Sequence, residues 1–141
     1  MESKILVVDD DPNLLWILEY MLLRQGYDVL TARHGIDGLK LAVQEVPDLV
    51  ILDVMIPGLN NFEICHRLRH RKKTAQIPVL TLSAYDKDNG LKACADEYLV
   101  KPINRVQFLA TVEKLLAQKM LAFQKTRNSD EYQKEKGGNK T

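Results

Sequence analysis

The sequence predicts an α/β fold, a doubly wound five-stranded parallel sheet with helices on both faces. Three observations carry the prediction. Short apolar runs alternate with helix-like stretches five times along the chain. Of the runs Ile5-Leu6-Val7-Val8, Leu49-Val50-Ile51-Leu52, Val79-Leu80-Thr81-Leu82 and Tyr98-Leu99-Val100, three are unbroken, the pattern of strands covered on both sides. The chain has 141 residues, 45% hydrophobic and 28% charged, which suits one core and excludes wholesale disorder.

Each element has its own signal. After the first strand, Asp11 can cap a helix with Pro12 at its first position; Leu14, Leu15, Leu18, Met21 and Leu22 form its stripe and Gly26 ends it. A weaker strand over 28–32 suits a place near a sheet edge. The second helix is expected over 35–45 with Leu39, Ala42 and Val43 inward, and Pro47 stops it. A third, over about 61–71, carries Phe62, Ile64, Cys65 and Leu68 before Pro78 opens the fourth strand. A short fourth helix falls around 88–95. The last starts near Asn104 with Val106, Leu109, Val112 and Leu116, then Met120 and Phe123, as its buried stripe. From about Lys125 the composition turns to Lys, Asn, Glu, Gln and Gly, too polar to bury a core. Residues 1–119 are therefore expected to fold as one domain, and 120–141 to form a helix extension and a polar tail or linker.

Lys and Arg number 20 against 19 Asp and Glu, and a net charge of +1 gives no global field to gather nucleic acid or anionic lipid. No apolar run reaches the roughly 18 residues of a membrane span, and the chain opens without a signal-peptide pattern. The cytoplasm is the expected compartment. Cys65 and Cys94 lie far apart with no CxxC, so reduced packing thiols are expected.

In an open parallel sheet, ligands bind outside the carboxyl ends of the strands. Here those ends carry Asp9-Asp10-Asp11, Asp53, Ser83 and Lys101-Pro102. If the first and third strands are neighbours, Asp9, Asp10 and Asp53 converge, and their repulsion calls for a positive partner. A hard divalent ion such as Mg2+ fits, because it accepts a few carboxylates and retained waters. Lys101 is a second cation suited to an anionic oxygen. Each feature alone has an ordinary reading as a helix cap, a loop carboxylate or a turn; their joint placement points to a site.

Through Lys4-Ile5-Leu6-Val7-Val8-Asp9-Asp10-Asp11-Pro12, Pro47 to Gly58, Pro78 to Ala84 and Ala95 to Pro102, the chain resembles a two-component response-regulator receiver domain over about 3–118. The resemblance implies a flavodoxin-like (βα)5 fold with strand order 2-1-3-4-5. It implies a phosphorelay role in which Asp53 accepts a phosphoryl group from a histidine kinase or phosphotransfer protein, catalysing only its own phosphorylation and dephosphorylation. Asp9 and Asp10 would hold Mg2+, with Asp10, Asp53 and the Met55 carbonyl as direct ligands. Ser83 and Lys101 would steady the phosphoryl oxygens. Ser83 and Tyr98 would form the switch that remodels the face of fourth helix, fifth strand and last helix, with a downstream protein or a second copy as partner. Leu14 and Ile17 would dock the kinase, on a helix to which Trp16, Tyr20 and Leu23 give a second apolar side.

The sequence also departs from the family. The stretch from Ser83 to Lys101 is about four residues short, close to one helical turn, which predicts an unusual partner or dimer geometry. Asn60-Asn61 stands where Asp or Ser followed by Gly is usual, and Cys94 replaces a usual Gly. Met55 and Tyr85, which would flank the phosphoryl group, are bulky and predict slow self-dephosphorylation. His66 and His70 have the spacing of a metal pair, but inside the run Arg67 to Lys73 they read as a cationic helix end. Alternatives are the front of a longer regulator, a pseudo-receiver that is never phosphorylated, and a Mg2+-dependent phosphohydrolase. The last expects an acid at position 55, and the pseudo-receiver expects losses among Asp10, Asp53, Ser83 and Lys101 that did not occur. About two dozen residues follow the predicted domain, too few for a DNA-binding or enzymatic output domain in this chain.

Overall fold

The apolar runs assemble into five parallel strands in the order β2-β1-β3-β4-β5: β1 (Lys4–Val8), β2 (Asp28–Ala32), β3 (Leu49–Asp53), β4 (Val79–Ser83) and β5 (Glu97–Val100). This is a computed structural model, and it describes residues 2–53, 61–83 and 94–138. The described helices are α1 (Pro12–Arg24), α2 (Gly35–Glu45), α3 (Asn61–Arg69) and a C-terminal helix, Arg105–Gly138. Most of the expected fourth helix, together with Met55, Asn60 and Tyr85, lies outside the described residues.

Alternate side chains of each strand point to opposite faces, and both faces are covered. Ile5, Val7, Ile51, Leu80 and Leu82 pack with Leu15, Leu18 and Leu22 of α1 and Phe108, Val112 and Leu115 of the C-terminal helix. Leu6, Val8, Val50, Leu52 and Val79 pack with α2 and α3 through Leu39, Ala42, Ile64 and Leu68. Continuous apolar runs follow on β1, β3 and β4, which are buried along nearly their whole length, whereas the edge strands β2 and β5 expose Asp28 and Val100. Asp28–Ala32 forms an edge strand, as its weaker pattern suggested.

Local chemistry sets the boundaries. Asp11 caps α1 by accepting from the Asn13 N–H at 2.9 Å, with Pro12 at the first helical position. Gly38 lets α2 lie close on β1, since a Cβ there would sit 2.7 Å from Val8 Cγ2.

Two expectations are corrected. In the C-terminal helix Val106 and Met120 are exposed, and the buried stripe is Phe108, Val112 and Leu115, with Leu109 and Leu116 partly covered. Val106 stands in the first turn, before the helix meets the sheet. Cys65 and Cys94, expected as reduced thiols, are joined in a disulfide with Cα atoms 6.2 Å apart. The sheet order carries α3 beside the lead-in to β5, so a sequence separation of 29 becomes a spatial contact.

Candidate functional site

The strand order places β1, β3 and β4 side by side, and their carboxyl ends build the site. Asp9 follows β1, and its N–H donates to the Ala32 carbonyl at 3.0 Å. Asp53 ends β3, with Val8 and Leu52 paired in register just before the two acids. Ser83 ends β4, and its carbonyl accepts from the Lys101 N–H at 2.7 Å, which sets the backbone from which Lys101 reaches across β4. Asp9 is fully buried, Asp53 and Ser83 each 3% exposed.

Carboxylate oxygens of Asp9, Asp10 and Asp53 lie within 4.8 Å of one another. Lys101 Nζ stands 3.0 Å from Asp53 Oδ1. Asp9 Oδ1 accepts from the Asp11 N–H at 2.9 Å, whereas its buried Oδ2 has no hydrogen-bond donor among the described residues. Burial pushes the Asp9 carboxyl from 3.8 up to about 7, the Asp53 carboxylate adds to the rise, and the Asp11 N–H and Lys101 oppose it. Among the described residues, Lys101 pairs with one member of a three-acid cluster, and the buried Asp9 Oδ2 has no donor. Both features fit a divalent cation bound by oxygen ligands.

Of the residues picked from sequence, Asp9, Asp10, Asp53, Ser83 and Lys101 are brought to one edge of the sheet. Tyr98 lies on β5, half-buried and in register with Thr81. Met55 and Tyr85 are outside the described residues. On α1, Leu14 packs partly against the core, while Ile17 is exposed with Trp16, Tyr20 and Leu23. Trp16 and Tyr20 stack at 5.7 Å, and the Arg24 guanidinium lies 5.8 Å from the Tyr20 ring centre. His70 Nδ1 is bonded to the His66 carbonyl at 2.8 Å, which fits a helix end better than a metal pair.

Arg69 was missed. It donates to the carbonyls of Ala75, Ile77 and Cys94 at 3.1, 2.6 and 3.3 Å and to Asp96 Oδ2 at 2.6 Å. Asp96 Oδ2 also accepts from the Val79 N–H at 2.7 Å, so this pair fixes both β4 and β5 to the end of α3. In sequence Arg69 is one of several cations in the run Arg67 to Lys73, and nothing there singles it out.

Residues 5–113 match the family model of the response regulator receiver domain, and the chain belongs to that family. The family is one of signalling phosphoacceptors rather than metabolic enzymes. The chain is 43% identical over 126 residues to the alkaline phosphatase synthesis transcriptional regulatory protein PhoP of Bacillus subtilis, covering 86% of this chain and 52% of that one. It is 38% identical over 119 residues to protein PilH of Pseudomonas aeruginosa, covering 82% and 98%. It thus spans about half the length of PhoP and nearly all of PilH. Among solved structures it resembles the response regulator TrrA of Thermotoga maritima, a complex with Mg2+ and BeF, at a TM-score of 0.74 and 37% identity, covering 82% and 99%. It also resembles a receiver domain of a Pseudomonas aeruginosa sensor histidine kinase with magnesium in its active-site cleft, at a TM-score of 0.77 and 25% identity, covering 83% and 99%.

Proposed function

We propose that the chain is a phosphoacceptor of a two-component phosphorelay, in which Asp53 takes a phosphoryl group from the phosphohistidine of a sensor histidine kinase or phosphotransfer protein. The observation that carries this reading is the nearly buried Asp53 paired with Lys101 at 3.0 Å beside two further carboxylates. An Asp53 oxygen attacks phosphorus as the P–N bond breaks. The electron pair leaves with the histidine nitrogen, which takes up a proton, and an aspartyl phosphate remains.

Lys101, already against Asp53 Oδ1, is placed to follow the charge onto a phosphoryl oxygen, and the Ser83 hydroxyl supplies a donor to another. Asp10, Asp53 and the Met55 carbonyl would hold Mg2+ with Asp9 behind them. When bound, the ion neutralises charge on the transferring oxygens. The new charge draws Ser83, Tyr98 follows, and the face of fourth helix, β5 and C-terminal helix changes its protein contacts, to a downstream protein or a second copy. Ile17, with Leu14 beneath it, docks the phosphodonor. Met55 and Tyr85 slow hydrolysis of the acyl phosphate. The reading places the chain in the cytoplasm and gives it neither nucleic acid nor membrane as a direct partner.

The test is incubation of the full chain with Mg2+ and acetyl phosphate, followed by mass measurement on wild type and Asp53→Asn. One phosphoryl per wild-type chain and none on the variant is expected. A wild type that gains none would remove the central claim, and a phospho-form that decays within seconds would remove the roles given to Met55 and Tyr85.

A further inference from the structure

We infer that Cys65 and Cys94 form a reversible thiol–disulfide site, whose substrates are dithiols and disulfides, and that its state sets how readily Asp53 responds. The coupling rests on the phosphoacceptor reading; the redox pair does not. The two Cα atoms are 6.2 Å apart, inside the window of about 4.4–6.8 Å that a disulfide requires. No other cysteine competes, because the chain has only these two.

The placement argues against a mere staple. Cys65 is fully buried among Leu6, Ile64, Leu68 and Val79, in a core that small disulfide-dependent domains lack. Arg69 already ties the same two elements, with hydrogen bonds to Cys94 and Asp96 on one side and a backbone in α3 on the other. The covalent link adds to these polar contacts a tether that fixes what they leave adjustable. It anchors Cys94, a short way before Tyr98, to the middle of α3.

The site is reachable from one side. Cys94 is partly exposed and Cys65 is not, so an external thiolate attacks the Cys94 sulfur and the Cys65 thiolate leaves. The second thiolate of the dithiol then attacks its own sulfur in the mixed disulfide, releasing the Cys94 thiolate. Two protons pass to the cysteines, and the dithiol is oxidised by two electrons to a cyclic disulfide. The Arg69 guanidinium, one helical turn along α3 from Cys65, donates to the Cys94 carbonyl at 3.3 Å and to Asp96, so a cation shared with Asp96 borders the pair on its Cys94 side.

The tether coexists with the resting site, in which Lys101 pairs with Asp53. Because the tether restrains the lead-in to β5 and Tyr98, oxidation favours this arrangement and the reduced chain moves more easily to the phosphorylated one. By reciprocity, a phosphoryl mimic must pull the pair toward its dithiol form by the same factor by which reduction tightens the mimic.

The experiment equilibrates the full chain in mixtures of oxidised and reduced dithiothreitol, with and without Mg2+ and beryllium fluoride, and counts alkylated thiols by mass. Mimic affinity is measured on the oxidised and the reduced chain and on Cys94→Ser and Cys94→Ala. A single two-thiol transition is expected, shifted about fivefold or more toward the dithiol by the mimic, with an equal gain in affinity on reduction. Both variants should bind like the reduced wild type in every buffer. Thiols that stay alkylatable in fully oxidised buffer would overturn the pair, and equal affinity of oxidised and reduced wild type would overturn the coupling. A chain that binds no mimic in either state would overturn the phosphoacceptor reading and the coupling together, while the thiol count would still decide the pair.

Discussion

Lys101 Nζ meets Asp53 Oδ1 at 3.0 Å across β4, a contact between two strand ends that are not themselves neighbours. Asp53 is nearly buried, so it depends on this cation more than a surface carboxylate would. Lys101→Ala should slow acetyl phosphate labelling of Asp53 by about a hundredfold, in line with loss of one preorganised charge donor. It should also cost about 1–3 kcal/mol in urea unfolding at neutral pH without Mg2+. Labelling kinetics followed by mass check the first, and a shifted urea midpoint at unchanged slope the second.

Arg69 and Asp96 tie α3 to β4 and β5 through a single guanidinium and a single carboxylate. Arg69→Met keeps the aliphatic stem but leaves the carbonyls of Ala75 and Ile77 and the Asp96 carboxylate short of a donor. A loss of about 2–3 kcal/mol is expected, discounted for the partial exposure of the pair. Chemical denaturation under reducing conditions isolates this from the disulfide. A variant as stable as wild type would show that the clamp is filled by water at no cost.

The sheet and its site were legible because they rest on signals that do not depend on distant neighbours. Strands buried on both faces must be continuously apolar, and chemistry in such a sheet must stand at strand ends, where Asp9, Asp53, Ser83 and Lys101 were visible by position alone. Cys65 and Cys94 were misread because spacing along the chain carries no distance once a crossover intervenes. Arg69 was hidden by composition: in a run of cations nothing marks the one whose stem turns back over the helix end. The stripe of the C-terminal helix was read from Val106 when burial starts at Phe108, since periodicity gives a phase but not where the helix first touches the sheet.

Val46 closes α2 with φ at 45°, a left-handed conformation that a β-branched side chain adopts at a cost. Its N–H still bonds the Ala42 carbonyl at 3.0 Å, so the cap itself is sound. Val46→Gly removes the strain, offset in part by the freer unfolded chain. A net gain of about 0.5–1 kcal/mol is expected, seen as a small rise in the thermal midpoint with Asp53 labelling unchanged.

Asp9 makes the metal-free fold pH-sensitive in a direction opposite to the usual carboxylate. Its folded pKa is about 7 against 3.8 for an unperturbed side chain. Between those values the folded chain holds a proton that the unfolded chain has lost, so stability falls as pH rises through that window and levels off above it. Below about 4 both states are protonated and Asp9 contributes nothing to the slope. The loss from pH 5 to pH 8 is expected to be on the order of 2–3 kcal/mol, and Mg2+ should restore most of it at pH 8 while doing little at pH 5, where a proton already occupies the site. Asp9→Asn should flatten the metal-free profile and weaken the Mg2+ response together. Urea unfolding across pH with and without Mg2+ measures all three, and a metal-free chain whose stability rises from pH 5 to pH 8 would overturn the role given to Asp9.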